Sequence, residues 1–363
     1  MLYETGAKFY TTCSVLSNCF FDKGKVLLAK HKSSGSLVAI KHFNLEEISQ
    51  EQYDLLINEI FYMRQLKHPN VISCLTSYVI NFDLYVISPL MNFTSCHDLI
   101  STQFQEGLSE IVISYVLRDV LRALDYIHSK GYIHRAIRAR HILVHADGHA
   151  CLSGLRFMYP IPKEGAKVYN FPLHAAHNLN WLSPELLGQN SEGYTEKSDV
   201  YSVGVTACEL ANGIVPFAET STTLMLTEKV RGVTPQLIDC TTWFLYEDSA
   251  QNKEDMQYDS QDIIESSPQM KRVNRKFTES FHAFVELCSH INVAVRPSPK
   301  QLLNHSFFKQ IRRTNVNLPE LLLPAVPYTE SNITELNEDV AVIDDLTYNF
   351  HDINVCQKEW DFS

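Results

Sequence analysis

Apolar residues along this chain come first in strand-like and then in helix-like patterns. Val26-Leu27-Leu28 and Leu37-Val38-Ala39-Ile40 flank Ser33-Ser34-Gly35, which predicts two strands and a turn between Phe20 and Lys41. Helical spacing follows over Gln52 to Leu66. Leu84 to Met91 is an almost unbroken apolar run, read as a buried strand that passes into a connecting segment. Ser109 to Ser129 is rich in Leu, Ile, Val and Ala and stops near Gly131, a fitting helix C-terminal cap. Short strands are expected around Ile142-Leu143-Val144 and Ala150-Cys151-Leu152, joined by the turn pair Asp147-Gly148. Strands and helices together predict an α+β chain, and the kinase-like motifs described below divide it into two unequal lobes. The small lobe is expected at about 10–91 and the large one at about 92–311.

Two stretches break the pattern. About 239–275 is acidic and poor in apolar residues, with Glu247-Asp248, Glu254-Asp255, Asp259 and Asp262, and reads as a flexible insertion. From about Arg312 to Ser363 the chain reads as a tail. Within it Leu318 to Pro324 offers apolar residues for docking, whereas Glu330 to Asp352 reads as disordered. The tail ends Trp360-Asp361-Phe362-Ser363. Two large aromatics on a flexible acidic segment suit a partner's pocket, or a site on the chain's own lobe.

Bulk numbers exclude several classes. The 363 residues are 45% hydrophobic, enough for a sizeable core. No apolar run is long enough for a membrane span, and Met1 to Tyr10 lacks the pattern of a signal peptide. A net charge of −11 argues against nucleic acid as a main partner. Nine scattered cysteines, never as Cys-x-x-Cys, fit reduced thiols in cytosol or nucleus rather than disulfides or zinc.

Candidate chemistry sharpens the picture. Val38-Ala39-Ile40-Lys41 matches the strand on which a protein kinase carries its phosphate-binding lysine, and Glu59 lies where the pairing helix glutamate belongs. Pro89 and Met91 fall in the adenine-binding hinge, and Ser88 at the back of the pocket. Pro89 keeps its carbonyl and Met91 its N–H, one acceptor and one donor. The glycine-rich phosphate loop should span Cys19 to Val26, but only Gly24 and Val26 match, so phosphate grip is expected to be weaker or differently shaped. Ser183-Pro184-Glu185, Asp199 and Arg296 fit the elements that hold a kinase large lobe together. From Phe157 to Leu182 there is no serine or threonine, which removes Ser/Thr phosphorylation as a switch within the activation segment.

The catalytic positions themselves are replaced. In His134-Arg135-Ala136, alanine stands for the catalytic aspartate. His141 stands for the metal-binding asparagine, and Gly154-Leu155-Arg156 replaces the Asp-Phe-Gly triplet. Mg²⁺ needs hard oxygen ligands, and the transferred group needs a positioned base. Losing one such electrostatic group costs about 2.7–4 kcal/mol of transition-state stabilisation; three are gone. No metal site is expected, and no kinase activity.

These motifs resemble the STRAD adaptors, pseudokinases related to the Sterile-type kinases. The resemblance covers roughly Phe20 to Gln310 and the extreme C-terminus. It rests on Gly154-Leu155-Arg156, on Trp181-Leu182-Ser183-Pro184-Glu185, on Lys197 to Ala211 and on Leu303 to Gln310. The family ends in Trp-Glu-Phe, where this chain has Trp360-Asp361-Phe362 and one further serine. The resemblance implies a bilobal kinase-like fold that binds ATP without catalysing transfer. It implies contact through Trp360, Asp361 and Phe362 with an armadillo-like scaffold of the mouse-protein-twenty-five family. It also implies allosteric activation of a liver-kinase-B-type Ser/Thr kinase, retained in the cytoplasm, with the nucleus as second compartment. ATP as a structural ligand without metal would then involve Gly24, Val26, Ala39, Lys41, Glu59, Ser88, Pro89 and Met91, with Arg156 supplying positive charge near the phosphates. A passive scaffold that binds no nucleotide, and a weak atypical kinase, are the alternatives.

Overall fold

The computed structural model describes residues 3–20, 22–163, 166–172, 175–188, 192–243, 272, 274–313 and 316–329. The small lobe carries β1 (Tyr10–Cys19), β2 (Gly24–His31), β3 (Leu37–Asn44), α1 (Gln50–Gln65), β4 (Thr76–Ile80) and β5 (Asp83–Pro89). Its strands form one antiparallel sheet in the order β1-β2-β3-β5-β4. The large lobe begins with α2 (Cys96–Thr102), α3 (Glu110–Ser129), β6 (Tyr132–Ile133), β7 (Ile142–Val144), β8 (Ala150–Leu152) and β9 (Tyr159–Pro160). It continues with α4 (Pro184–Leu187), α5 (Lys197–Asn212), α6 (Thr222–Val230), α7 (Glu279–Ser289), α8 (Pro299–Leu302) and α9 (Leu318–Leu321). Among the described residues no helix is long and apolar enough to cross a membrane. The expected α+β fold of a sheet-rich and a helical lobe is the fold observed.

Local sequence explains the boundaries. The first long helix starts at Gln50, ahead of the expected Gln52, because Ser49 caps it. Ser49 Oγ accepts the Gln52 N–H and the Gln52 side chain accepts the Ser49 N–H. Strand β1 has no counterpart among the sequence expectations. Its residues are mostly polar and half-buried, and two irregularities at Thr12/Ser14 and Val15/Ser17 break the alternation that betrays a strand. The hairpin β7–β8 forms as expected, with Ile142 opposite Leu152 and Val144 opposite Ala150.

The large-lobe core is built around α5, buried from Ser198 to Asn212, and α3, whose apolar stripe includes Ile113, Leu117, Leu121 and Leu124. Arg296 is fully buried and makes a bidentate contact with Glu185, at 2.5 and 3.0 Å. Lys229 is also fully buried. Its ammonium donates to the carbonyls of Leu179, Asn180 and Leu182, fixing the chain just before Ser183-Pro184-Glu185.

The structure adds detail at two of the expected boundaries. The ends of the expected insertion are firmly held. Asp239 is buried and accepts from Thr241, Phe277 N and His282, while Arg275 donates to the carbonyls of Ile238 and Glu106. Residues 244–271 lie outside the described residues. The start of the tail also belongs to the body. Leu318, Leu322 and Ala325 join the main core, and Tyr115 donates its hydroxyl to the Val316 carbonyl at 3.0 Å. Glu330 to Asp352, Trp360, Asp361 and Phe362 lie outside the described residues.

Candidate functional site

The cleft-facing side of the sheet follows from its register. Val26 lies opposite Lys41, Leu28 opposite Ala39, and Ala39 opposite Ser88. Opposed residues share a face and alternate residues repeat it, so Val26, Leu28, Leu37, Ala39, Lys41 and Ser88 lie on one side. Lys41 identifies that side, because its ammonium reaches Glu59 on α1 at 2.7 Å. The face carries an apolar cluster of Leu28, Ala39 and Leu90, joined by Leu16, Val26 and Leu37. Val38, Ile40 and Ile87 pack on the opposite side. Ser88 is buried and directs its hydroxyl to the Ala39 carbonyl at 3.5 Å. Pro89 ends β5 opposite Val38, and Met91 is buried just beyond it.

Behind the apolar patch sits a three-membered ion network. Glu59, buried, takes Lys41 on one carboxylate oxygen and the Arg156 guanidinium on the other at 2.9 Å. Burial alone would raise the pKa of this carboxyl. The two cations reverse that and hold it down at about 2. Lys41 and Glu59 thus make the pair that the motifs anticipate. Arg156 adds a contact that no motif anticipates. Its guanidinium is engaged with Glu59 and lies over the Phe20 and Phe157 rings, at 5.4 and 5.0 Å from their centroids. Two cations and one anion leave a net single positive charge at the inner end of the cleft.

The phosphate-loop region is reshaped. Cys19 pairs directly with Gly24, so the connection is a short turn, with Phe20 and Asp22 at positive φ. Phe20 is buried and meets Phe43 edge-on at 5.5 Å between centroids. A Cβ on Gly24 would stand 2.4 Å from the Phe43 ring. The missing side chain of Gly24, expected as part of a phosphate cradle, also makes room for an aromatic core.

At the catalytic-loop positions the frame is held. Asp199, fully buried on α5, accepts the backbone N–H groups of His134 and Arg135 at 2.8 Å each, and His128 at 2.8 Å. Ala136 is buried and offers no acid. His141 donates through Nδ1 to the Ala136 carbonyl at 2.6 Å. Burial first, then the nearby Arg138 and Arg156 charges, hold His141 well below the ordinary histidine range, so it is neutral. Gly154 has φ +81°, and a Cβ there would sit 2.8 Å from the His141 ring. Glycine and histidine therefore fit each other where a kinase would place two metal ligands. A neutral imidazole and a bare backbone do not suit a hard ion such as Mg²⁺. The apolar patch, Ser88 and Lys41 do suit a nucleotide taken without metal. Arg135 donates to the Phe157 carbonyl at 2.6 Å and to Asn170 and Tyr194.

The mouth of the cleft holds a residue that no sequence motif singles out. Tyr328, from the segment after α9, packs on the Leu28–Ala39–Leu90 cluster. Its N–H donates to the Asn92 carbonyl at 2.9 Å, and the Asn92 amide donates to its carbonyl at 2.7 Å. A lone tyrosine in a stretch that reads as tail carries no signal of such a place. Only the folded path of the chain after α9 brings it to the hinge.

Comparisons with known proteins agree with this architecture. The protein kinase domain family matches residues 22–308. STE20-related kinase adapter protein alpha from Bos taurus is 39% identical over 97% of this chain and 97% of its own length. The Homo sapiens alpha protein is 39% identical over 97% of this chain and 84% of its own. The Homo sapiens beta protein is 35% identical over 91% and 85%. With an intact kinase frame, replaced catalytic positions and this likeness along nearly its whole length, the chain belongs to the STE20-related kinase adapter family.

Proposed function

We propose that this chain is a catalytically inactive pseudokinase that acts as an allosteric adaptor. It binds and activates a liver-kinase-B-type Ser/Thr kinase together with an armadillo-like scaffold, which it meets through Trp360, Asp361 and Phe362 in the cytoplasm. The observation that carries this reading is the Lys41–Glu59–Arg156 network. It ties α1 to the sheet and to the segment after β8 and includes the lysine–glutamate pair that an active kinase requires, while Ala136, His141 and Gly154 supply neither base nor metal ligands. Such a chain activates by binding the active shape of its client more tightly than the inactive one.

ATP, taken without metal, serves as a structural ligand in this reading. Val26, Ala39, Ser88, Pro89 and Met91 would hold its base and Lys41 its phosphates; bound, it would supply rigidity rather than a reacting group. A ligand at about a hundred times its dissociation constant adds roughly 2.7 kcal/mol to stability. The buried Phe20 and the filled space beside Gly24 favour a second reading, a scaffold that binds no nucleotide. A thermal shift on adding ATP with EDTA separates the two.

The deciding experiment measures activity of the client kinase with the armadillo scaffold, with and without this chain. A Trp360→Ala/Phe362→Ala double variant runs alongside. Activation by wild type that weakens in the variant is expected. Tight binding without activation would leave a passive scaffold, and phosphate transfer by the chain alone would make it an atypical kinase.

A further inference from the structure

Tyr328 lies beyond the span matched by the protein kinase domain, yet it packs on the cleft-facing side of the small-lobe sheet. Its cluster includes Ala39, Val26 and Leu16, the apolar face on which a nucleotide base would lie. Three features fix it there. Asn92, one residue past Met91, clamps its backbone in both directions, at 2.9 and 2.7 Å. The Asn92 side-chain oxygen in turn accepts the Ala146 N–H at 3.2 Å, which holds the clamp to the β7–β8 hairpin. Upstream, α9 is seated in the large-lobe core through Leu318, and Leu322 and Ala325 follow it there. The tail therefore runs from the large lobe, across the hinge, to the small-lobe sheet.

We propose that Tyr328 is a wall of the base-binding site, a nucleotide-contacting residue contributed by the C-terminal extension. This rests on the nucleotide reading above. The position favours a wall over an occupant. Tyr328 is only partly buried, and its backbone is held at Asn92, outside the hinge positions Pro89 and Met91. A purine on the Val26–Ala39 face would gain the edge or face of an aromatic ring beside it. By linkage, nucleotide then orders the tail segment, and an ordered tail strengthens nucleotide binding.

The test uses the full chain with ATP in EDTA. The nucleotide-induced thermal shift and the affinity by titration calorimetry are compared for wild type, Tyr328→Ala, Tyr328→Leu, Tyr328→Phe and Lys41→Met. Tyr328→Leu keeps apolar volume and guards against simple misfolding. Binding about tenfold weaker in Tyr328→Ala and Tyr328→Leu, with Tyr328→Phe near wild type, is expected. Hydrogen exchange of the peptide over 322–329 gives an independent readout, with protection expected on adding ATP. Equal affinity in wild type and the Tyr328 variants, with Lys41→Met weakened, would overturn the wall while leaving the nucleotide reading intact. Tighter binding in Tyr328→Ala, or deprotection of 322–329 by ATP, would make the tyrosine an occupant and overturn the proposal. No binding by any of the proteins would overturn both readings together.

Discussion

Arg156 and Glu59 meet at 2.9 Å although they come from opposite lobes, one from the segment after β8 and one from α1. Glu59 also holds Lys41, so one carboxylate balances two cations in a mostly buried place. Removing the anion leaves both cations uncompensated, whereas removing either cation leaves an ion pair. Glu59→Gln is therefore expected to cost about 3 kcal/mol of stability, more than Arg156→Ala or Lys41→Met. Urea unfolding of the three variants measures this. A smaller loss in Glu59→Gln than in Arg156→Ala would contradict the shared-anion account.

The Arg296–Glu185 contact makes a comparison of the opposite kind. Arg296 is fully buried, while the Glu185 side chain is 12% exposed. Glu185→Ala strands a buried guanidinium and should cost about 3–5 kcal/mol. Arg296→Met replaces the charge with an apolar chain and leaves the carboxylate close to water, so it should cost less. Denaturation midpoints in the two order the costs, and the reverse order would refute this.

Gly154 and His141 are expected to be energetically coupled. A side chain at 154 runs into the imidazole, so Gly154→Asp alone should cost about 1–3 kcal/mol. With His141→Asn present the obstruction shrinks, and the double variant should lose less than the sum of the single losses. Additive losses in a double-mutant cycle would show that the two positions are independent.

The buried histidines should lower stability on mild acidification, while Glu209, raised to about 7 by burial, acts in the opposite sense. Burial, partly opposed by the Asp199 charge, lowers the His134 pKa from 6.5 to about 4. The folded state then resists a proton that the unfolded chain accepts below about 6.5. The contribution is fully present above that pH and is lost as pH falls through about 4, a span worth about 3 kcal/mol. His141 acts in the same direction, again chiefly through burial. Glu59, held down at about 2, adds a later loss between about 4.5 and 2. Between pH 7.5 and 5 the urea midpoint of wild type should fall relative to that of His141→Asn, and an identical pH profile in the two would remove the buried-histidine contribution.

The fold was legible wherever a motif combines a period with a special residue. Val38 to Lys41 announces β3, Asp147-Gly148 announces its hairpin, and Asp199 and Arg296 announce their partners because the distances between motifs are those of a kinase frame. The pairing of Lys41 with Glu59 was readable for the same reason. Strand β1 was not, because Thr, Ser and Asn dominate it and packing against β2 overrides a weak local signal. Phe20 looks like any aromatic next to a turn until the register of Cys19 with Gly24 brings it against Phe43 and Arg156. Arg156 was legible as a cation in the cleft, but its pairing was not, since no sequence spacing reveals that the second carboxylate oxygen of Glu59 lies within its reach. Tyr328 was invisible because its partners lie more than 230 residues earlier in the chain.

Arg135 is the residue through which many kinases sense a phosphate on their activation segment. Here it already holds Phe157, Asn170 and Tyr194, and the stretch from Phe157 to Leu182 has no Ser or Thr to receive such a phosphate. A Ser/Thr kinase cascade thus has no handle on this segment. The chain would work as a stoichiometric part rather than a relay: its output would be set by the number of copies made and by the company they keep, and a cell could tune it by synthesis and turnover.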